Sequence, residues 1–85
     1  MYRNVMELLV ETKVNDLWKT QSGCLCDQCR EDVIAFTLNH LPPQYVASHT
    51  GELFTKVKHL ETKHDFEITK QVAIALKIIG ESPRH

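Results

Sequence analysis

No apolar run in these 85 residues approaches the roughly 20 that cross a bilayer. The opening Met1-Tyr2-Arg3-Asn4 leads into a stretch carrying Glu7, Glu11 and Lys13, unlike a secretory leader. A cytoplasmic address is the expectation. An excess of positive charge is also missing. Lys and Arg total 10 against 11 acidic residues, a net charge of −1, so wrapping duplex nucleic acid by counterion release is not the expected task. The chain has no repeat, no low-complexity tract and no linker-like segment, so residues 1–85 read as one domain. It is also short of bulk: a domain of this size buries a small fraction of its surface, and its core supplies only a few kcal/mol unaided. A metal, a partner subunit or both are expected to make up the difference. Hydrophobic content of 42% with 25% charge still belongs to folded soluble domains, which excludes a disordered tail.

The common signatures of catalysis are absent as well. There is no H-E-x-x-H, no H-x-E paired with P-C-x-x-C, and no glycine-rich phosphate loop. His59 and His64 are five apart, which on one helix places them on different faces. A non-enzymatic protein is expected.

What is present is helical periodicity. From Tyr2 to about Thr20, the apolar residues Val5, Met6, Leu8, Leu9, Val10, Val14, Leu17 and Trp18 recur at three- and four-residue steps. Asn4 is a candidate N-cap. Gln21-Ser22-Gly23 breaks that pattern. Between Asp27 and Leu41, Val33, Ile34, Phe36, Leu38 and Leu41 occupy more than one stripe, which predicts a central helix covered on two sides. Leu41-Pro42-Pro43 ends it, because proline disfavours helical dihedrals in the residue before it and lacks an amide donor. Gln44 to Ala47 should then run extended. Ser48 or Thr50 can cap a third helix with an apolar stripe of Leu53, Phe54, Val57 and Leu60, and with Glu52, Lys56, Lys58 and Glu61 mostly toward water. Asp65 is a candidate N-cap for a last helix carrying Phe66, Ile68, Val72, Ala73, Ala75, Leu76 and Ile79, with Gly80 and Pro83 as its stop. The periodicity leaves open whether the last two helices are one rod. The predicted fold class is all-α, a small single domain of about four helices.

Three cysteines crowd into six residues, Cys24-Leu25-Cys26-Asp27-Gln28-Cys29. They cannot all pair with one another, and an intrachain disulfide at such spacing is geometrically poor and out of place in a reducing compartment. The pattern C-x-C-x2-C can instead aim three thiolates at one point if the backbone turns at Cys26 and enters the helix there. Thiolate favours zinc or an iron–sulfur cluster, and helix amides near Cys29 would stabilise the ligated sulfurs. The alternative is three thiols packed beside a loop. A fourth zinc ligand can come from His40, His49, His59, His64, His85, a carboxylate or water. If the last helix runs back across the molecule, its tail Ser82-Pro83-Arg84-His85 reaches the loop, which makes His85 the favoured choice.

The stretch from Gly23 to Val46, GCLCDQCREDVIAFTLNHLPPQYV, resembles the signature region of the late competence development protein ComFB family. That region combines C-x-C-x2-C, an apolar helix, L-N, a proline-bearing turn and Y-V. NVMELLVE, GELFTKV and GESPRH are similar to the family too, so the resemblance covers nearly the whole chain. It implies a small helical bacterial protein that forms a homodimer and binds zinc through Cys24, Cys26 and Cys29. It further implies a regulatory or adaptor role linked to competence, motility or pili, an unidentified protein partner, and for some members reception of a cyclic dinucleotide such as cyclic di-GMP. Such a ligand carries two phosphates and two planar bases and needs cations beside a stacking surface. Arg30, Tyr45, Lys56, Lys58 and Arg84 are the candidates to line that site. Taken singly, lysines on helices are more often solvated, and a tyrosine such as Tyr45 is more often a core residue with its hydroxyl at the edge.

Overall fold

The side chain of Asn4 starts the first helix by accepting a hydrogen bond from the Met6 amide at 3.1 Å. The structure, a computed structural model, describes residues 1–20 and 26–81. Within them the element order is β1 (Arg3–Asn4), α1 (Val5–Trp18), α2 (Asp27–Asn39), β2 (Tyr45–Val46), α3 (His49–Lys58) and α4 (Thr62–Glu81). The expected all-α class and helix count hold for these residues. Helical periodicity does not predict one further element: Arg3–Asn4 is extended and pairs antiparallel with Tyr45–Val46, Arg3 opposite Val46 and Asn4 opposite Tyr45. The first helix therefore begins at Val5 rather than Tyr2, because the residues before it are drawn into a bridge with the segment after the prolines.

Helix α2 is capped by Cys26, whose Sγ accepts from the Cys29 amide at 3.4 Å. Its regular turns end at Asn39, three residues before the proline pair. Between Ser48 and Thr50, Ser48 is the cap of α3, its Oγ accepting from the Gly51 amide at 3.0 Å. A side chain at Gly51 would place its Cβ 3.2 Å from that same Oγ and 3.5 Å from the Val46 Cβ, so glycine leaves room for the cap. The last two helices are separate. The chain turns at His59–Glu61, and α4 begins at Thr62, so Asp65 lies inside its first turn instead of capping it. Gly80 does not stop α4, which runs through Glu81.

The core is a three-helix packing of α1, α2 and α4. Met6, Val10 and Val14 come from α1, Cys29, Val33 and Ile34 from α2, and Ile68, Val72, Ala75, Leu76 and Ile79 from α4. The four- and three-residue steps in each set keep one stripe on one face, as an amphipathic helix requires. Thr37 is fully buried but satisfied, its hydroxyl donating to the Val33 carbonyl at 2.8 Å. Among the described residues, no helix is long and apolar enough to cross a membrane.

Helix α3 stands apart from this core, packing on α1 and β2. Its apolar stripe turns outward: Leu53 is 60%, Phe54 73%, Val57 57% and Leu60 82% exposed. Glu52, expected toward water, is buried. The molecule is accordingly flat and open, 39 × 27 × 19 Å, with a radius of gyration of 13.3 Å where a compact domain of this length has about 12 Å.

Candidate functional site

The cysteine loop enters α2 through Cys26. That residue has extended dihedrals, and its sulfur lies against the first helical turn, where the Cys29 N–H points at it. Amide donors and the positive end of a helix favour a thiolate over a thiol, which suits a soft divalent metal. Cys29 is fully buried in the same turn, between α1 and α4. Cys24 and His85 lie outside the described residues, and among the described residues no group of three side chains stands ready to hold a metal. Two of the four expected ligands are thus placed side by side at one helix terminus, with a donor set that fits zinc.

The candidate ligand-binding residues do not gather in one cleft of a single chain. Arg30 directs its guanidinium to Asn15 on α1, with Nε at 3.2 Å and Nη2 at 2.8 Å from Asn15 Oδ1. Tyr45 pairs with Asn4 at the other end of α1. Eleven residues at 1.5 Å each put those two anchor points about 16 Å apart along the helix. Lys56 lines a cleft of about 360 Å3 beside Leu9 and Asp16, whereas Lys58 lines another of about 420 Å3 beside His40 and Glu67. Arg84 lies outside the described residues. Tyr45 itself is 63% exposed rather than a core residue, and its ring meets that of Tyr2 edge to face, centroids 6.1 Å apart at 67°.

Three features escape a reading of the sequence. Glu52 accepts from Arg3 of β1 and from Lys56 Nζ at 3.1 Å. Those two contacts, Arg3 first, hold its carboxyl below the usual carboxylate range despite burial. His59, just after α3, is buried, and neither ring nitrogen has a hydrogen-bond partner. Burial, and then the nearby His64 and Lys58, push its imidazole below the ordinary value. His59 and His64, expected on different faces, instead meet edge to face with centroids 5.0 Å apart. The separation of five residues rules out a shared face only on a continuous helix, and the turn at Leu60–Glu61 removes that condition. The polar run from Glu61 to His64 was the available signal.

The family model for Late competence development protein ComFB matches residues 3–83, nearly the entire chain. Competence protein ComFB of Bacillus subtilis (strain 168) is 27% identical over 79 residues, covering 93% of this chain and 78% of that protein. The solved structure of the late competence protein ComFB from Bacillus subtilis superposes with a TM-score of 0.87 at 24% identity, over 98% of this chain and 92% of the other, which establishes a shared fold. With the family model spanning both the cysteine loop and all four described helices, the chain belongs to the late competence development protein ComFB family.

Proposed function

We propose that this protein is a non-enzymatic regulatory or adaptor protein of the ComFB type that works as a homodimer through the apolar face of α3. The observation that supports this is the outward stripe of Leu53, Phe54, Val57 and Leu60. A stripe at helical spacing normally faces a core, and taking one such side chain fully out of water contributes about 1.5–3 kcal/mol. A second copy of the chain supplies the matching stripe through a two-fold axis. It also supplies the burial that an 85-residue core lacks. Zinc held by Cys24, Cys26 and Cys29, with His85 as fourth ligand, would tie the start of α2 to the tail beyond α4. Links to competence, motility or pili follow the family resemblance, and duplex nucleic acid is not the expected partner at a net charge of −1. Sedimentation of wild type beside Phe54→Glu tests the dimer, with a single dimeric species expected for wild type and a monomer for the variant.

A ligand reading goes with it: the dimer binds cyclic di-GMP. The exposed Tyr2–Tyr45 pair favours it, since two solvent-facing rings offer the stacking surface that a base needs. Lys56, Lys58 and Arg84 are the further candidates for phosphate contacts, while Arg30 would have to come from a second chain, because one chain anchors Arg30 at Asn15 and Tyr45 at Asn4, about 16 Å apart along α1. Isothermal titration of metal-analysed protein with cyclic di-GMP, with cyclic di-AMP and GTP as controls, separates the readings. Micromolar or tighter binding of a cyclic dinucleotide alone supports the receptor. Silence from all three leaves a dimeric adaptor without a small-molecule ligand.

A further inference from the structure

We propose that His59 and His64 are the fixed pair of a second metal site, for a divalent transition metal that takes imidazole, in the cleft between the α2 C-terminus and the α3–α4 turn. The cleft has a volume of about 420 Å3, and its lining brings together His40, His59, His64 and Glu67 from three parts of the chain. His59 is 8% exposed and lines this cleft with both ring nitrogens unpartnered, which is costly for a buried imidazole unless something binds there. Two imidazoles on one tetrahedral ion, each nitrogen about 2.1 Å from it, have centroids roughly 5 Å apart. His59 and His64 stand at 5.0 Å with ring planes 64° apart.

The remaining ligands are supplied by their surroundings. His40 Nδ1 lies 2.7 Å from the Phe36 carbonyl, which can only accept, so Nδ1 carries the proton and Nε2 the lone pair. A carbonyl that orients the far nitrogen in this way is the usual support of a ligating histidine. Stacking on Phe36, centroids 4.3 Å apart at 20°, holds the ring further. Glu67 follows His64 by three residues on α4 and so shares its face. Among the described residues no three donors already stand within reach of one ion. His40 or Glu67 must therefore rotate toward the histidine pair, with water completing the shell. An imidazole with one unprotonated nitrogen presents a lone pair, which suits a metal better than an anion. Lys58 opposes a cation at this cleft, but it is exposed and its long stem can swing away.

Nickel(II) alone is the probe, titrated into zinc-loaded, metal-analysed wild-type protein and into zinc-loaded His64→Gln, which removes one ligand from a partly buried position without touching the core. The expected result is one nickel equivalent in wild type, bound at least tenfold more weakly by H64Q, with the ring signals of His59 and His64 broadened by the paramagnetic ion ahead of that of His49. Equal nickel affinity in the two proteins, or broadening that spares His59 and His64, overturns the site. Neither outcome bears on dimerisation through α3, which sedimentation reads separately.

Discussion

Asn4 and Gln44, forty residues apart, are joined by a 2.8 Å hydrogen bond from the Gln44 amide to Asn4 Oδ1, the same oxygen that caps α1. The Gln44 carbonyl returns the contact by accepting from the Val5 amide at 2.8 Å. One side chain therefore starts the first helix and fastens the segment after Pro42-Pro43 to it, which sets the register of the β1–β2 bridge.

Replacing Asn4 by Ala strands two amide donors at once. The expected loss is about 2 kcal/mol, the sum of an N-cap and an unsatisfied partly buried donor. In a domain of this size that is a fall of roughly 10 °C in Tm. Asn4→Asp keeps both acceptor contacts and should stay near wild type in the same thermal melts.

Glu52 makes stability depend on acid. Its folded pKa lies below its unfolded value because Arg3 and then Lys56 favour the carboxylate. The contribution is therefore fully present above the ordinary carboxylate range and is lost as pH falls through that range toward the lowered folded value. Denaturant titrations of wild type and Glu52→Gln should show a constant gap at pH 6–8 that narrows below about pH 4.5. A gap that holds at pH 3 would mean that the Arg3 and Lys56 contacts do not persist in solution.

His59 acts in the next window up. Burial and neighbouring positive charge lower its folded pKa, so the unfolded chain takes up the proton first. Stability should be flat above about pH 6.5 and fall as pH drops from there through the lowered value. His59→Phe removes this dependence. The groups around it, His64, His40, Lys58, Glu61 and Glu67 with Lys56 and Asp65 on the opposite side, are common to both proteins, so the difference between their pH–stability curves isolates His59.

Cys26 separates zinc ligation from helix capping. Without metal its sulfur still caps α2, and serine is the better cap, so the capping contribution survives Cys26→Ser. With zinc, ligation free energy is part of folding free energy. The substitution should then cost several kcal/mol, together with the bound metal, and a chelator should lower the wild-type melting temperature. Unchanged Tm and unchanged metal content in Cys26→Ser would contradict the site.

The helices were largely legible because their signals are local. Asn4 and Ser48 are capping residues in front of apolar periodicity, and Leu41-Pro42-Pro43 is a steric stop. Helix α3 was legible only in part. The spacing of Leu53, Phe54, Val57 and Leu60 reveals that a face exists but not what covers it, and within one chain nothing described does. The charge of Glu52 predicts a place toward water, whereas Arg3 approaches it from β1, a pairing across nearly fifty residues that no local pattern contains. His59 and His64 come together through a turn whose existence the periodicity left open. At the cysteine loop the spacing of the thiols is plain in the sequence, whereas the contact between Cys26 Sγ and the Cys29 amide depends on where α2 begins.

Sedimentation equilibrium of wild type and of Phe54→Glu at matched concentrations decides whether α3 builds a homodimer. Phe54 is 73% exposed, so the substitution leaves the three-helix core untouched and circular dichroism should report an unchanged fold. A homodimer built on α3 gives a wild-type mass twice that of the 9.8 kDa chain and a monomeric, folded variant. A monomeric wild type, or a variant as dimeric as wild type, would contradict it.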